Sequence, residues 1–373
     1  MRRLESLDAF RGFAIASMVL VNNPGDWGHL YAPLDHAKWN GWTFTDTVFP
    51  FFLFAAGVAM AISIERRRAA GGERLIAGLS MRAAVIFAIG LALNAIPYFD
   101  FATVRIPGVL QRIALCILAA APLAVHARTR TIAIAIAALF AVYCVLMLFI
   151  PVPGPDGVVA AGILEPGRDF GAWLDRHVFG SHVWSQSRTW DPEGLASTLP
   201  AIASLLFGVI TGRLLPHAPA GPRFARTMLI AGGAAIIAGL ALDRVLMPIN
   251  KNLWTPSYSV FMTGLALVLF AAFHAAMDGA ASERVRALAR RLALPLTIFG
   301  MNALFIFAFS GLIGRLLVSI RIAGTTLKGH LFAPIAALPL APENASLLYA
   351  IAFWLAMFAV CWLMWKKRWF VKV

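Results

Sequence analysis

The sequence predicts an all-α, polytopic integral membrane protein with about ten transmembrane helices and both termini in the cytoplasm. Three observations support this fold class. Of the 373 residues, 60% are hydrophobic and only 13% are charged, and the mean hydropathy is +0.77. These values lie far from the balance of soluble globular domains. The apolar residues also form runs that are long enough to cross a bilayer, and the basic residues lie mostly between these runs.

Ten apolar segments are close in length to the ~20 residues that a spanning helix requires. They lie near residues 7–23, 44–64, 82–98, 105–125, 131–150, 196–215, 226–246, 254–276, 293–317 and 345–365. The first resembles a signal peptide in its charged start and apolar middle, but Asp8 and Arg11 interrupt it and no small-residue cleavage site follows. We therefore expect this segment to remain as an uncleaved anchor.

The formal charge of +14 is best explained by membrane topology. With the N-terminus in the cytoplasm, 20 of the 32 Lys and Arg residues fall on the cytoplasmic side, nine on the opposite side and three within spans. Basic residues in short loops are retained in the cytoplasm, so this bias predicts the orientation. A soluble domain with this charge would suggest nucleic acid as a partner. Because the basic residues lie between apolar segments here, the charge predicts that the chain interacts with the lipid bilayer and does not bind nucleic acid.

The chain is predicted to form a single transmembrane domain over residues 1–373, with one long extracytoplasmic loop at about 151–195. This loop opens with PVPGPDG and contains several tryptophans and charges, which suggests a folded cap rather than a tether. The three cysteines lie within spans, and the histidines do not occur at metal-ligand spacing. Neither a disulfide framework nor a metal site is therefore predicted.

Four polar motifs precede predicted spans on the extracytoplasmic face. They are DHAKWN at 35–40 with Asp46 behind it, VRIPGVLQR at 104–112, DPEG at 191–194 and KNLW at 251–254. Ionisable groups at membrane depth are costly and are usually retained for function. The shared position of the four motifs predicts a polar site on this face.

Several of these residues allow two interpretations. His36 is either a general base, since an imidazole titrates near neutral pH, or an interfacial histidine bonded to a loop carbonyl. Arg105 and Arg112 are seven residues apart and are predicted to share one helical face. Arg105 is either a snorkelling anchor or a ligand-binding residue. Arg112 lies deeper and requires an anionic ligand or a buried carboxylate.

Other polar residues also have a structural alternative. Asp8 and Arg11 are expected to pair with each other or with a neighbouring helix. Asn302, within the ninth span, either bonds to another helix or lines a pocket. Asp191 and Glu193 either favour the dipole of the following helix or bind a ligand. The arginines of ERRRAAGGER at 65–74 either anchor the protein at lipid headgroups or hold a phosphorylated ligand.

Six stretches along the chain together resemble the heparan-alpha-glucosaminide N-acetyltransferase family and its bacterial relatives, within the transmembrane acyltransferase superfamily. They are LDAFRGFAIASMVLVN, DHAKWNGWTFTDTVFPFFLFAAGVA, VRIPGVLQRIAL, DPEGLASTLPAIASLLFGVITGR, KNLWTPSYSVFMTGLALVL and PLTIFGMNALFIF. The resemblance follows the same order over essentially the whole chain. The ten spans are expected to correspond to the core of the lysosomal enzyme, without its extra N-terminal luminal region and span. The loop after the first span is longer here, with NPGDWGHLYAPLD.

The resemblance implies transfer of an acetyl group from cytoplasmic acetyl-CoA to an amino sugar on the far side of the membrane. It assigns the catalytic histidine to His36 and the supporting asparagine to Asn22 or the adjacent Asn23. Asp46 or Asp35 is expected to orient the imidazole. The residues predicted to bind the cofactor are Arg11, Arg105, Arg112 and Asn302. The residues predicted to bind the acceptor are Trp39, Asn40, Asp191, Glu193, Lys251, Asn252 and Trp254.

The resemblance also implies a location in a bacterial inner membrane, with the acceptor on the periplasmic side, and makes a homodimer plausible. Two other functions fit the same composition. One is a transporter of an amino sugar or of N-acetylglucosamine, although the chain shows no internal repeat of the kind that many transporters have. The other is an O-acetyltransferase of a cell-envelope glycan, which differs only in the acceptor atom.

Overall fold

The structure of the protein is a computed structural model that describes residues 4–215, 223–279 and 282–371. Within these ranges the chain forms fourteen α-helices and two short hairpins. The helices are α1 Glu5–Val21, α2 Phe44–Ala69, α3 Leu75–Ala95, α4 Val109–His126, α5 Thr129–Phe149, α6 Phe170–Phe179, α7 Leu195–Leu214, α8 Arg223–Val245, α9 Pro256–Met277, α10 Glu283–Leu292, α11 Leu294–Met301, α12 Ala303–Ser319, α13 Leu327–Ala336 and α14 Pro342–Lys366. The all-α, polytopic class is confirmed.

The long helices account for the predicted spans. Within the described residues, α2, α3, α4, α5, α7, α8, α9 and α14 are each long and apolar enough to cross a membrane, and α11 with α12 makes nine if the bent pair is one span. The remaining predicted span is α1, whose 17 residues make it shorter than any of the eight. Arg2, Arg3 and Lys372, three of the twenty cations predicted to be cytoplasmic, lie outside the described residues.

The ninth predicted span is not one continuous helix. The axes of α11 and α12 differ by 83°, and the break lies at Asn302, whose backbone is not helical (φ −122°, ψ 35°). Its amide group binds the chain beyond α14, because Nδ2 donates to the carbonyl oxygen of Trp369 at 3.1 Å and Oδ1 accepts from the backbone N–H of Val371 at 2.9 Å. The predicted span at 293–317 therefore corresponds to two helices that meet at a sharp break.

The fourth predicted span starts later than expected. Helix α4 begins at Val109, directly after Pro107 and Gly108. The residue before a proline is disfavoured in the α region, which keeps the chain extended up to this point. Arg105 consequently lies in the loop, and the prediction that it shares a helical face with Arg112 is wrong.

Glycine pairs bring the central helices into close contact. A Cβ atom on Gly57 of α2 would lie 2.0 Å from the carbonyl oxygen of Leu205 on α7, and one on Gly208 would lie 2.2 Å from that of Phe54. In a bilayer, where no hydrophobic force drives helices together, such close approach provides the van der Waals packing that holds them. These contacts fix α2, which carries the first polar motif, against α7.

Two folded segments cover one end of the helices. Residues 151–194 contain the hairpin of β1 (Val152–Pro153) and β2 (Val159–Ala160), followed by α6, whose N-cap Asp169 accepts from the backbone N–H of Ala172. The second segment contains the hairpin of β3 (Arg321–Ile322) and β4 (Thr325–Thr326), followed by α13. The apolar pattern of the sequence does not predict the second segment.

Candidate functional site

A cavity of about 580 Å³ lies where the loops that precede α2, α4, α7 and α9 meet. Its floor is apolar and comes from α1, α2 and α4: Met18, Val21, Val48, Phe49 and Val109. Its rim is polar and includes Asn22, Asp35, His36, Lys38, Arg105, Glu193, Lys251 and Asn252. The four polar motifs therefore converge on one cavity, although they lie far apart in the sequence.

His36 and Asp46 form a hydrogen-bonded pair at this cavity. Nδ1 of His36 lies 2.7 Å from Oδ1 of Asp46, with 41% of the histidine side chain exposed but only 1% of the aspartate. The exposed member of the pair therefore faces the cavity, and its buried partner lies behind it.

The start of α2 holds the Asp46 carboxylate in place. Oδ2 accepts hydrogen bonds from the backbone N–H groups of Ala37 and Thr43, both at 3.0 Å. A carboxylate at this position of a helix start satisfies donors that otherwise have no partner. The hydroxyl of Tyr258 donates to the backbone carbonyl of Asp46 at 2.6 Å and ties α9 to the same turn.

This arrangement selects one tautomer of His36. An ionised carboxylate only accepts hydrogen bonds, so Nδ1 must carry the proton that Asp46 binds. Nε2 of the neutral ring then keeps its lone pair, which is the state that a general base or a nucleophile requires. The structure thus brings together the two residues expected to act as base and orienting group. Asp35 has a different contact, because its Oδ1 accepts from the backbone N–H of His36 at 2.8 Å.

Asn22 and Asn23 point in different directions from the end of α1. Asn22 is exposed and lines the cavity with His36. Nδ2 of Asn23 donates to the carbonyl oxygen of Val19 at 2.9 Å, and its Oδ1 lies beside Gly314 of α12. Of the two candidates, Asn22 is therefore the one placed next to the histidine.

Arg105 is bound by two carboxylates of the DPEG motif. Its guanidinium donates to Asp191 at 2.8 and 2.5 Å and to Glu193 at 2.5 Å. Burial alone would lower the pKa of Arg105, but the two carboxylates outweigh it and raise the pKa above its usual value. Burial opposes ionisation of Glu193, yet Arg105 and the other nearby cations lower its pKa. Both residues are therefore charged, and the ion pair joins the α4 loop to the cap.

Arg112 lies beneath this ion pair with 1% of its surface exposed. It donates to the carbonyl oxygen of Gly194 at 3.1 Å and to the hydroxyl of Ser197, and its guanidinium carbon lies 5.2 Å from the ring centre of Trp254. Its Nε and Nη1 atoms form no hydrogen bond with any described residue. The expected carboxylate contact is therefore replaced by neutral oxygen acceptors and a cation–π contact.

Several predicted residues lie outside the cavity wall. Trp254 is 1% exposed, and the indole of Trp39 donates to the carbonyl oxygen of Leu164 at 2.8 Å. Oδ1 of Asn40 accepts from Nδ2 of Asn250 at 3.1 Å. Asp191 is also buried. None of these four residues is part of the cavity lining, and Asn40 is exposed rather than buried.

Arg11 and Asn302 lie at the opposite end of the helices. Arg11 pairs with Asp8 at 3.1 Å, as the sequence predicts, and its Nε donates to the carbonyl oxygen of Gly300 at 2.8 Å. Arg82 of α3 lies within electrostatic range of Arg11 and Arg67. The four predicted cofactor residues are thus divided between the two ends, with Arg105 and Arg112 at the His36 end.

Three further residues line the cavity although the sequence pattern does not predict them there: Trp184, Trp190 and Lys38. The ring centres of Trp190 and Trp184 are 5.5 Å apart, and those of Trp190 and Trp39 are 5.1 Å apart. The two tryptophans are visible in the sequence, in HVWSQSRTW. The sequence does not show, however, that this part of the cap folds back over the first polar motif.

Comparison with known proteins supports the resemblance seen in the motifs. Residues 3–172 match the family model described as the catalytic region of heparan-alpha-glucosaminide N-acetyltransferase. The human heparan-alpha-glucosaminide N-acetyltransferase is 28% identical over 335 residues, which cover 74% of this chain and 49% of the human protein. The mouse protein is 27% identical over 327 residues, with the same shares covered. The chain spans about half the length of these curated relatives. The family match and the two relatives confirm that the chain resembles the heparan-alpha-glucosaminide N-acetyltransferase family.

Proposed function

We propose that the protein is a membrane acetyltransferase that moves an acetyl group from acetyl-CoA to the amine of a glucosamine-type sugar, with His36 as the general base. The observation that carries this proposal is the hydrogen bond between Nδ1 of His36 and the buried Asp46, at the rim of the cavity. It leaves Nε2 of an exposed imidazole free for proton transfer.

The reaction needs a neutral amine, because an ammonium group has no lone pair with which to attack the thioester. Nε2 of His36 accepts a proton from the amine as the nitrogen–carbon bond forms, and Asp46 stabilises the imidazolium that results. The bond between the acetyl carbon and sulfur then breaks, and the proton passes to the CoA thiolate. The competing route forms a covalent acetyl-histidine at Nε2, which acid-quenched enzyme would reveal by its mass after mixing with acetyl-CoA alone.

Asn22 is assigned the hydrogen bond to the developing oxyanion. Its side chain lines the same cavity as His36 and forms no hydrogen bond with another described side chain. A fixed donor that contacts the oxygen only as negative charge develops lowers the barrier more than it strengthens substrate binding.

Acetyl-CoA is proposed to enter from the end of the helices where arginines cluster. Arg11, Arg67 and Arg82 lie near one another there, and Nε of Arg82 has no hydrogen-bond partner among the described residues. These cations suit the phosphates of the cofactor, whereas Arg105 is already bound to two carboxylates. The apolar floor of the cavity suits the pantetheine arm and the uncharged thioester.

The acceptor sugar is proposed to bind at the polar rim, on the extracytoplasmic side. Asn252 offers an amide for hydroxyl groups, and the indoles of Trp184 and Trp190 offer apolar faces against which the C–H bonds of a pyranose ring pack. This combination of a few polar groups and aromatic surface fits a neutral or cationic sugar.

The proposal is tested with purified protein in detergent, acetyl-CoA and glucosamine. CoA release that depends on glucosamine, with N-acetylglucosamine as the product, is the expected result. Treatment of the product with alkaline hydroxylamine separates the two chemistries, since an ester is cleaved and an amide is not. Failure of the acceptor to stimulate CoA release would overturn the proposal, and sugar uptake into vesicles without acetylation would favour the transporter.

A further inference from the structure

The side chain of Lys251 lies against the imidazole of His36. Its Nζ atom is 3.3 Å from Nδ1 and 3.4 Å from Nε2. A donor on the lone-pair axis of Nε2 would be much closer to that nitrogen than to Nδ1. The nearly equal distances therefore place the ammonium group over the ring edge between the two nitrogens. Nε2 remains accessible, and a positive charge lies within contact distance of the ring.

The loop that carries Lys251 is fixed by buried hydrogen bonds. Asn250 is fully buried, and its Oδ1 accepts from the backbone N–H of Leu253 at 2.9 Å. The backbone N–H of Gly41 donates to the carbonyl oxygen of Ile249 at 2.7 Å, which joins this loop to the loop of His36. The backbone from which Lys251 extends towards His36 is therefore fixed by the fold.

The charges around His36 balance when the imidazole is neutral. Four carboxylates and four cations line the cavity or interact with residues that line it. They are Asp35, Asp46, Asp191, Glu193, Lys38, Arg105, Arg112 and Lys251. Asp35 and Lys38 are exposed to solvent.

We propose that Lys251 is a positioning residue whose charge opposes protonation of His36, so that Asp46 fixes the tautomer of the base without leaving the ring protonated. A carboxylate that binds an imidazole favours the protonated ring, which cannot act as a base. A cation within contact distance opposes this effect. The inference rests on the proposed role of His36 and gives Lys251 a function beyond acceptor binding.

Burial lowers the pKa of Lys251, and the charges of Glu193 and Asp46 offset only part of this effect. These two carboxylates are the groups that favour the ammonium form next to the ring.

The test compares the pH dependence of kcat/KM for the wild type, Lys251→Met and Lys251→Arg. Dividing each variant profile by the wild-type profile cancels the titration of the acceptor amine. Lys251→Met should move the midpoint of the acid limb up by about one pH unit, because the ring then loses its neighbouring cation. Lys251→Arg keeps the charge and should keep the midpoint within a few tenths of a unit. Equal losses for both variants at every pH would overturn the inference, because they would indicate acceptor binding alone.

A second readout separates this inference from the proposed function. NMR titration of the imidazole in isotope-labelled protein, assigned with His36→Gln, follows the ring without any turnover. A midpoint that rises in Lys251→Met supports the effect of Lys251 even in a preparation that transfers no acetyl group. An unchanged midpoint contradicts it even in a fully active enzyme.

Discussion

Nδ1 of His36 and Oδ1 of Asp46 lie 2.7 Å apart although the helix start of α2 intervenes between them in the chain. The carboxylate also accepts hydrogen bonds from two backbone N–H groups. One belongs to Ala37, next to the histidine, and the other to Thr43, directly before α2. The same side chain therefore closes the loop that presents the histidine, begins the helix and orients the imidazole. Folding of this loop and activation of the base depend on one residue.

Asp46→Asn should lower kcat by about 10²- to 10⁴-fold, because an amide can present its N–H₂ group to Nδ1 and stabilise the wrong tautomer. Glu65→Gln, at the far end of the same helix, is the matched control for loss of one acidic group. Steady-state CoA release measures the effect, and an acetyl-CoA binding assay shows whether the variant is folded. A kcat within threefold of the wild type would contradict the role of Asp46.

Asn22→Ala should lower kcat by about 10²- to 10³-fold with little change in KM, since the proposed hydrogen bond forms only as the oxyanion develops. Asn23→Ala is the matched control, because that side chain binds Val19 and faces Gly314 instead of the cavity. It should lower kcat by no more than a few-fold. The reverse order of effects in steady-state kinetics would show that Asn23 holds the catalytic position.

The stability of the protein should fall as pH rises through about 7, partly because of Asp175. This α6 carboxyl is buried, and burial raises its pKa to about 7, while the backbone N–H of Leu195 and the charge of Arg112 act against the rise. Because its pKa is higher in the folded state, Asp175 contributes most to the free energy of unfolding below its unfolded-state pKa near 4. This contribution is lost as the pH rises through the folded-state pKa. A difference of one between the folded-state and unfolded-state pKa corresponds to about 1.4 kcal/mol in the free energy of unfolding.

Asp175→Asn therefore should weaken this pH dependence and raise the unfolding temperature above pH 7 by several degrees. Glu165→Gln, an exposed carboxylate in the same cap, is the control and should leave the curve unchanged. Thermal unfolding in detergent between pH 5 and 8 gives the comparison. A steeper decline in Asp175→Asn than in the wild type would show that the buried carboxyl is ionised and paired.

Gly57→Ala should destabilise the protein by about 1–3 kcal/mol, because the new methyl group meets the carbonyl oxygen of Leu205 and the helices must separate. Gly233→Ala on α8 is the control, since a Cβ atom there meets no other atom within 4 Å. Thermal unfolding should show a lower midpoint for the first variant and an unchanged or higher one for the second. Equal midpoints would contradict the close packing of α2 and α7.

The sequence predicts much of the candidate site because the relevant residues lie in polar motifs at the edges of apolar runs. His36, Asn22, Glu193, Lys251 and Asn252 are all predicted and all line the cavity. The signal is physical, since charged and amide groups next to a membrane span are costly unless they are used.

The structure differs from the sequence-based prediction where tertiary contacts override the local hydropathy pattern. The break at Asn302 depends on hydrogen bonds to Trp369 and Val371, which a single apolar run does not reveal. Trp254 combines an aromatic ring with an N–H donor, as many sugar-binding residues do. In the structure, however, its ring is buried and packs against Arg112. The positions of Arg105 and Trp190 depend on how the cap folds over the helices, and hydropathy carries no information about that.

The central claim is that His36 is the residue that makes acetyl transfer possible, and turnover by His36→Ala tests it most directly. Purified wild type and His36→Ala are given radiolabelled acetyl-CoA and glucosamine, and labelled N-acetylglucosamine is counted alongside acetyl-CoA binding. We expect product only from the wild type, with a loss of at least about 10³-fold in the variant and acetyl-CoA affinity within a few-fold of normal. Substantial turnover by His36→Ala would contradict the account.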